Sequence, residues 1–327
     1  MRTDNVRKTR EFPGFFRGLR ESFGVDPISK NWYRPAVSKC TPNSRHNPLS
    51  MSKTRWNPTT IKRVLKDDID SSTCPVVVLT DKGTGYFKAL GNPEGTHVLA
   101  REFVGTSLAN LLGIPTFEYS IFHFNGVPEI QLLRGGIAQQ GAGFITKKEQ
   151  GDVWNGKIKS LKHITNPEDI TRLVCLDTWV RNTDRYSLRR SGEPHSRSDN
   201  VFLSRLVTGG LVLKAYDFTH ALFCTTETTS KAHETTVYGL FPEFKERLDS
   251  ETAKQVCDKL KTITTKRIKP IIGQIPDEWE IDLPTRETWI KFIVTRASYL
   301  SKNFMPLVGL IPIEKQQVIS FSEEVSP

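Results

Sequence analysis

A strand pattern followed directly by a helix pattern is the feature that most constrains the fold of this 327-residue chain. Residues 76–90 hold two strand-like runs around a glycine-containing turn, which predicts a β-hairpin. Apolar residues then recur at helical spacing over 96–112, and Gly113 followed by Pro115 predicts the end of that helix. The sequence therefore predicts a hairpin followed by one helix.

Each of these two elements carries a charge on an apolar face. Strand alternation places Lys88 on the same face as Tyr86 and Leu90. Helical spacing places Glu102 among small and apolar residues such as Val98. A buried charge is costly unless it is paired, so the lysine needs a partner or an anion and the glutamate needs a cation. The alternatives are an edge-strand lysine that limits aggregation and a solvent-exposed helix glutamate.

The turn of the hairpin contains Gly83 and Gly85. Glycine-rich turns that bring the backbone close to phosphate are typical of kinases, but this turn lacks the third glycine of the kinase pattern. Many hairpins also turn on glycine without binding phosphate. The two glycines are therefore a weak signal for nucleotide binding.

Two aspartates follow predicted regular elements further along the chain. Asp184 comes after a helix whose start is predicted at 166–169, and Asp217 comes after the strand-like run 213–216. A loop aspartate is usually a turn residue or a helix cap. A pair of them at such positions suggests phosphoryl transfer, in which one carboxylate orients a hydroxyl nucleophile and the other holds the magnesium of ATP.

The ordered series of these segments resembles the HipA-like kinases. The matching segments are 86–88, 91–95, residue 102, 111–115, 179–185, 217–221, 237–242 and 275–279. This family shares the atypical kinase fold of the phosphatidylinositol kinases. The resemblance implies an α+β, two-lobed fold over residues 51–304, with a small β-rich N-lobe holding one helix at about 51–135 and a mainly helical C-lobe at about 136–304. Helix patterns at about 245–265 and 286–302 agree with that C-lobe.

The resemblance also implies roles for individual residues. Lys88 would bind the ATP phosphates with Glu102 as its ion-pair partner, beside the turn of Gly83 and Gly85. Asp184 would accept or orient the hydroxyl proton. Asp217 would bridge magnesium to the phosphates. ATP and Mg²⁺ are therefore the expected cofactors.

The sequence departs from the family just after the first aspartate. Arg189 stands where a metal-binding asparagine is expected, and we interpret 187–199 as an insertion that moves this role to Asn200. Tyr186 stands where these proteins usually have histidine. The insertion is basic, which predicts a mobile loop that recognises an acidic or phosphorylated macromolecule, with a solvated surface insertion as the alternative.

Charge and composition limit the remaining possibilities. The net charge is +10, and residues 1–50 hold ten Lys/Arg against four Asp/Glu. We predict that 1–50 is a disordered basic tail or a mis-annotated start before Met51, with a nucleic-acid-binding arm as the competing account, and that 305–327 is a loose C-terminal tail. The absence of an apolar run of about 18 residues argues against a membrane span. Five cysteines without C-x-x-C spacing argue against disulfides and zinc and for the cytoplasm.

The leading hypothesis is an ATP- and Mg²⁺-dependent phosphotransferase that phosphorylates Ser or Thr of a protein. The resemblance also makes an antitoxin or other regulatory protein an expected partner. A catalytically impaired pseudokinase or nucleotide-binding regulatory module is the alternative. A lipid or small-molecule kinase ranks lower. A nucleic-acid-binding protein ranks last, because the basic stretches lack interleaved aromatic residues.

Overall fold

The computed structural model describes residues 56–66, 73–189, 191–222 and 230–311. The tail predicted at 1–50 lies outside these residues, as does most of the tail predicted at 305–327. The described residues all belong to one compact unit that begins at residue 53.

The N-terminal part is a five-stranded antiparallel sheet with the order β1-β2-β3-β5-β4. Its strands are β1 Ile61–Lys66, β2 Val76–Thr80, β3 Gly83–Leu90, β4 Tyr119–Phe124 and β5 Gln139–Lys147. The predicted hairpin is β2 and β3. Alternation in β3 places Phe87 and Ala89 in a small core on one face of the sheet, with Trp56 and Ile130. The other face carries Lys88 and packs against the first helix.

That helix, α1 His97–Leu112, is buried along almost its whole length. It contacts β5 on one side and the C-terminal helices on the other, so polar side chains on it meet other protein rather than water. The helix ends as predicted at Gly113, whose positive φ of 81° allows its N–H to bond the carbonyl of Asn110. Glycine is favoured there because this backbone conformation is strained for other residues.

The C-terminal part is mainly helical. Its helices are α2 Ile158–Leu161, α3 Asp169–Val180, α4 Ser250–Lys261, α5 Thr265–Ile272 and α6 Leu283–Leu307. The central helix α3 is buried on nearly every side, between α1, α4 and α6. This confirms an antiparallel, sheet-rich N-terminal part and a helical C-terminal part. None of the described helices is long and apolar enough to cross a membrane.

Five short strands complete the C-terminal part. They are β6 Gly151–Val153, β7 Tyr186–Leu188, β8 Pro194–Ser196, β9 Val201–Arg205 and β10 Leu211–Ala215. Strands β10, β9 and β6 form one antiparallel sheet, and β7 and β8 form a separate hairpin. The insertion at 187–199, predicted as a mobile loop, thus forms most of a β-hairpin and the turn after it. Cross-strand backbone bonds replace the water contacts that a loop would need.

Two predicted boundaries need correction. Strand β5 pairs with both β3 and β4, so the N-terminal lobe extends to Lys147 and not to about 135. Helix α6 continues to Leu307, beyond the predicted domain end at 304, and Met305 and Leu307 still pack against the core. The lobe boundary was placed too early because β5 completes the sheet after a connection of 14 residues.

Candidate active site

Lys88 joins three separate elements of the structure. Its Nζ forms an ion pair with Glu102 on α1, which is the pair that the sequence predicts. The same Nζ lies 3.5 Å from Oδ1 of Asp217, in the segment after β10. Glu102 uses its second oxygen to accept the backbone N–H of Phe218 at 2.8 Å. One lysine therefore links the N-terminal sheet, the buried helix and the segment that carries the second aspartate.

The pKa values of this group follow from burial and mutual charge. Burial opposes the charge on Lys88, but Asp217 and Glu102 outweigh it and raise the pKa of the lysine. Burial also raises the pKa of Glu102; Lys88 opposes this shift and Asp217 adds to it. Burial would raise the pKa of Asp217 as well, but Lys88 and a hydrogen bond from Thr219 bring it below its usual range. Asp217 is therefore the group most firmly held as a carboxylate.

Asp217 is held in an uncommon backbone conformation, with a φ of +60°. Thr219 Oγ1 donates to its Oδ1 at 2.9 Å. The next residue, Phe218, packs where a Cβ at Gly105 of α1 would overlap its Cβ and Cγ. The absence of a side chain at 105 thus lets the aromatic ring approach the helix. Positive φ at a residue other than glycine is typical of functional sites, where surrounding contacts impose it.

Asp184 lies between two side chains that approach its two oxygens. Asn200 Nδ2 donates to Oδ2 at 2.7 Å, and His195 Nε2 lies 3.0 Å from Oδ1. Asn200 is buried and ends a 3₁₀ turn directly before β9. Asn200 therefore contacts Asp184 in space, although the two residues are 16 positions apart in the sequence. The interpretation of 187–199 as an insertion stays a prediction.

Arg185 ties the Asp184 loop to the Asp217 segment. Its Nε donates to Asp177 Oδ2 at 2.7 Å, and its Nη2 donates to the carbonyl of Tyr216 at 2.9 Å. The hydroxyl of Tyr216 in turn donates to the carbonyl of Asp199, just before Asn200. These bonds cross-link the loop before β7, the turn before β9 and the end of β10.

The charges of both aspartates also act on one guanidinium. The pKa of Arg197 is raised, chiefly by its hydrogen bonds to Asp199, with further contributions from Asp184 and Asp217. The convergence of Asp184 and Asp217 on one cleft stays a prediction.

Sequence reasoning missed the buried support beneath Asp184. Asp177 on α3 and Arg185 form an ion pair in which both side chains are fully buried, and Asn182 Nδ2 also donates to this aspartate. Burial raises the pKa of Asp177, and the charge of Arg185 counteracts the shift. Gly239 lies against the same carboxylate with a φ of +72°, leaving no space for a Cβ. The signal available in the sequence was a charged residue within the apolar pattern of α3.

Residues 61–303 match the family described as HipA-like kinase. The chain belongs to the HipA-like kinases. It is therefore a kinase-type phosphotransferase, and its family implies the use of ATP. The chain also resembles the crystal structure of the Helicobacter pylori proinflammatory kinase CtkA, with 11% identity, a TM-score of 0.48 and coverage of 78% of this chain and 98% of that chain. No curated protein matches the chain.

Local structure explains why glycine occupies positions 83 and 85 in the hairpin of this HipA-like kinase. Gly83 begins β3 with a φ of +103° and has open space around it. Gly85 is buried, and a Cβ there would lie 2.9 Å from the carbonyl oxygen of Thr146 and 3.0 Å from the Trp56 ring. Packing within the sheet therefore accounts for Gly85. A contact of either glycine with phosphate stays a prediction.

The site of this HipA-like kinase suits a hard divalent cation. Asp184 and Asp217 are carboxylates, and Lys88, whose Nζ lies 3.5 Å from Asp217, is already paired with Glu102. Asn200 uses its amide nitrogen on Asp184, so its amide oxygen is the atom that can ligate a cation. No cluster of three or more His, Cys, Asp or Glu side chains suited to a metal occurs in the described ranges. Asp217 and Asn200, together with phosphate oxygens, stay the predicted ligands of a magnesium ion.

Proposed function

We propose that this HipA-like kinase transfers the γ-phosphate of ATP, with Mg²⁺, to a Ser or Thr hydroxyl of a protein. The observation that carries the proposal is that Lys88 contacts both Glu102 and Asp217, while Asn200 contacts Asp184. The Ser or Thr acceptor is part of the proposal and is what the resemblance described above implies.

Each charged residue has a role that its surroundings support. Lys88, held by two carboxylates, presents an ammonium to the phosphates. Asp217, whose low pKa keeps it ionised, is the principal ligand for magnesium, and Asn200 supplies an amide oxygen. When bound, the cation neutralises charge on the phosphates. Asp184 accepts the hydrogen bond of the attacking hydroxyl and so aligns it for transfer.

The position of Asn200 favours an active kinase over a pseudokinase. The sequence puts this asparagine 16 residues after Asp184, which leaves the metal site in question. In the structure its side chain points to Asp184 and it is buried beside the site. The contact of Asn200 with Asp184 supports a role for this asparagine in the site, and a pseudokinase is an outcome of the experiment.

The test is transfer of labelled phosphate by the purified full-length chain, together with ATP binding measured by calorimetry with and without Mg²⁺. Asp184→Asn should keep ATP binding and lower transfer by about 10²–10⁴-fold, because it removes the group that aligns the hydroxyl. Asp217→Asn should remove the dependence of ATP binding on Mg²⁺. Asp152→Asn is the matched control, since that carboxylate forms an exposed pair with Arg205.

The outcomes separate the competing functions. Binding of ATP with no transfer to any protein, including the chain itself, supports the pseudokinase. Transfer to lipid or to a small molecule in preference to protein supports the lower-ranked kinase hypothesis. Unchanged transfer in Asp184→Asn would contradict the role given to that residue.

A further inference from the structure

The inserted hairpin brings one imidazole to the catalytic aspartate. In the β7–β8 hairpin, Ser187 pairs with His195, and its base is fixed by the bond from Arg197 N–H to the carbonyl of Arg185 at 2.9 Å. The hydroxyl of Ser187 also donates to the carbonyl of Thr183 at 2.7 Å. The hairpin thus bonds to residues on both sides of Asp184, and His195 projects from a fixed position.

The neighbours of this imidazole define its tautomer. Its Nε2 lies 3.0 Å from Asp184 Oδ1, and its Nδ1 lies 3.4 Å from Nη2 of Arg189. A guanidinium has only donors, so Nδ1 is the acceptor toward Arg189. The proton of the neutral ring is then on Nε2, from which it is donated to the carboxylate.

The carboxylate of Asp184 is consequently fixed at both oxygens. His195 donates to Oδ1, and Asn200 donates to Oδ2. Two donors from different directions fix the rotation of the carboxylate about its last bond, and each oxygen keeps a further lone pair for another donor. The imidazole is 27% exposed, so its orientation comes from these polar contacts rather than from close packing.

We propose that His195 is a positioning residue that holds Asp184 in the orientation needed to accept a hydrogen bond from the attacking hydroxyl. This inference rests on the proposed function, because it assigns a support to the residue that aligns the acceptor. The ring nitrogens of His195 bond Asp184 and Arg189, so we expect its effect in the transfer step and not in nucleotide binding.

The experiment compares three variants of the full-length chain by steady-state phosphotransfer. His195→Ala removes the donor and should lower kcat by about 10–100-fold with the KM for ATP changed less than about twofold. His195→Gln keeps an N–H at similar reach and should restore kcat to within about threefold of the wild type. His123→Ala, which removes an exposed imidazole of β4, should match the wild type.

The second measurement does not depend on activity. In ¹⁵N-histidine NMR of the full-length chain, the signals missing from His195→Gln identify this ring, which should show the Nε2–H tautomer and shift in Asp184→Asn. Equal kcat in His195→Ala and His123→Ala, or failure of His195→Gln to restore kcat, would overturn the proposal. So would an Nδ1–H tautomer. If the wild-type chain transfers no phosphate, the proposed function fails, and the NMR result alone decides whether His195 holds Asp184.

Discussion

Replacing Lys88 by methionine should lower the free energy of unfolding, because it removes the positive charge and keeps the packing of the side-chain stem. Methionine keeps the apolar stem but leaves two neighbouring carboxylates, Glu102 and Asp217, without their cation. Their side chains are 4% and 21% exposed, so water compensates little of the lost charge. Removing one partner of a buried pair costs about 3–5 kcal/mol of unfolding free energy. We expect a loss in this range at neutral pH.

The control is an exposed pair in the same sheet. Lys147 bonds Glu118 with side chains 41% and 47% exposed, so Lys147→Met should cost no more than about 1 kcal/mol. Equilibrium urea unfolding of the full-length chain, followed by circular dichroism, measures both free energies. An equal loss in the two variants would refute the view that Lys88 is an essential buried counter-charge.

A second substitution tests the mechanism of the loss. Glu102→Gln removes one of the two unpaired carboxylates and keeps an oxygen to accept the N–H of Phe218. The double variant Lys88→Met, Glu102→Gln should therefore recover a large part of the stability without recovering phosphotransfer. Stability that stays low in the double variant would show that Lys88 acts through packing.

The pH dependence of the loss has a definite sign. Without Lys88 the folded-state pKa of both carboxylates moves upward, and a group with a raised folded pKa loses stability as pH rises through that value. In the wild type the pKa of Asp217 is lowered, which gives stability that is lost as pH falls. That loss lies below the ordinary Asp pKa of 3.8, outside the range tested. Between about pH 7.5 and about pH 5, the carboxylates of Lys88→Met take up protons that the wild-type carboxylates do not, so the difference in unfolding free energy between the two proteins shrinks as the pH falls. A difference in unfolding free energy that grows as the pH falls would contradict this account.

Two further substitutions probe the segment after β10. Gly105→Ala places a methyl group against Phe218 and should lower the unfolding free energy by about 1–3 kcal/mol in urea unfolding, and a loss below about 0.5 kcal/mol would show that the ring moves freely. Thr219→Val removes the donor to Asp217, whose pKa should then rise, so protons compete better with the cation. Calorimetry should show Mg²⁺-supported ATP binding weakened more at about pH 5 than at about pH 7.5, and an equal change at both would refute this linkage.

The elements that the sequence predicted well are those specified by local periodicity. The hairpin at 76–90 and helix α1 depend on neighbours two to four residues apart, and the stop at Gly113 depends on one residue. The position of β5 depends instead on pairing with strands that lie elsewhere in the chain. The local sequence pattern at 139–147 does not indicate that β5 pairs with β3 and β4. For this reason the predicted boundary of the N-lobe was too early.

The same distinction applies within the site. The pairing of Lys88 with Glu102 could be predicted from the sequence because each residue places a charge on an apolar face. A buried charge is costly unless it is paired with an opposite charge. The pairing of Asp177 with Arg185 could not be predicted, because the arginine looked like part of a loop motif and its burial depends on packing with Tyr216 and Phe218. Their pairing appears only when the loop folds back on α3.

The β7–β8 hairpin shows how two residues that are far apart in the sequence can stay in contact. In an antiparallel pair the first and last residues face each other across about 4.5–5.5 Å, whatever the number of residues between them. Tyr186 pairs with Ser196, so the chain leaves the Asp184 loop and returns to nearly the same place before it reaches Asn200. Sequence separation between the aspartate and the asparagine therefore grows while their contact persists at 2.7 Å. The returning strand also brings His195 to the carboxylate of Asp184. The segment between Asp184 and Asn200 therefore keeps the contact between these two residues and adds a third residue to the site.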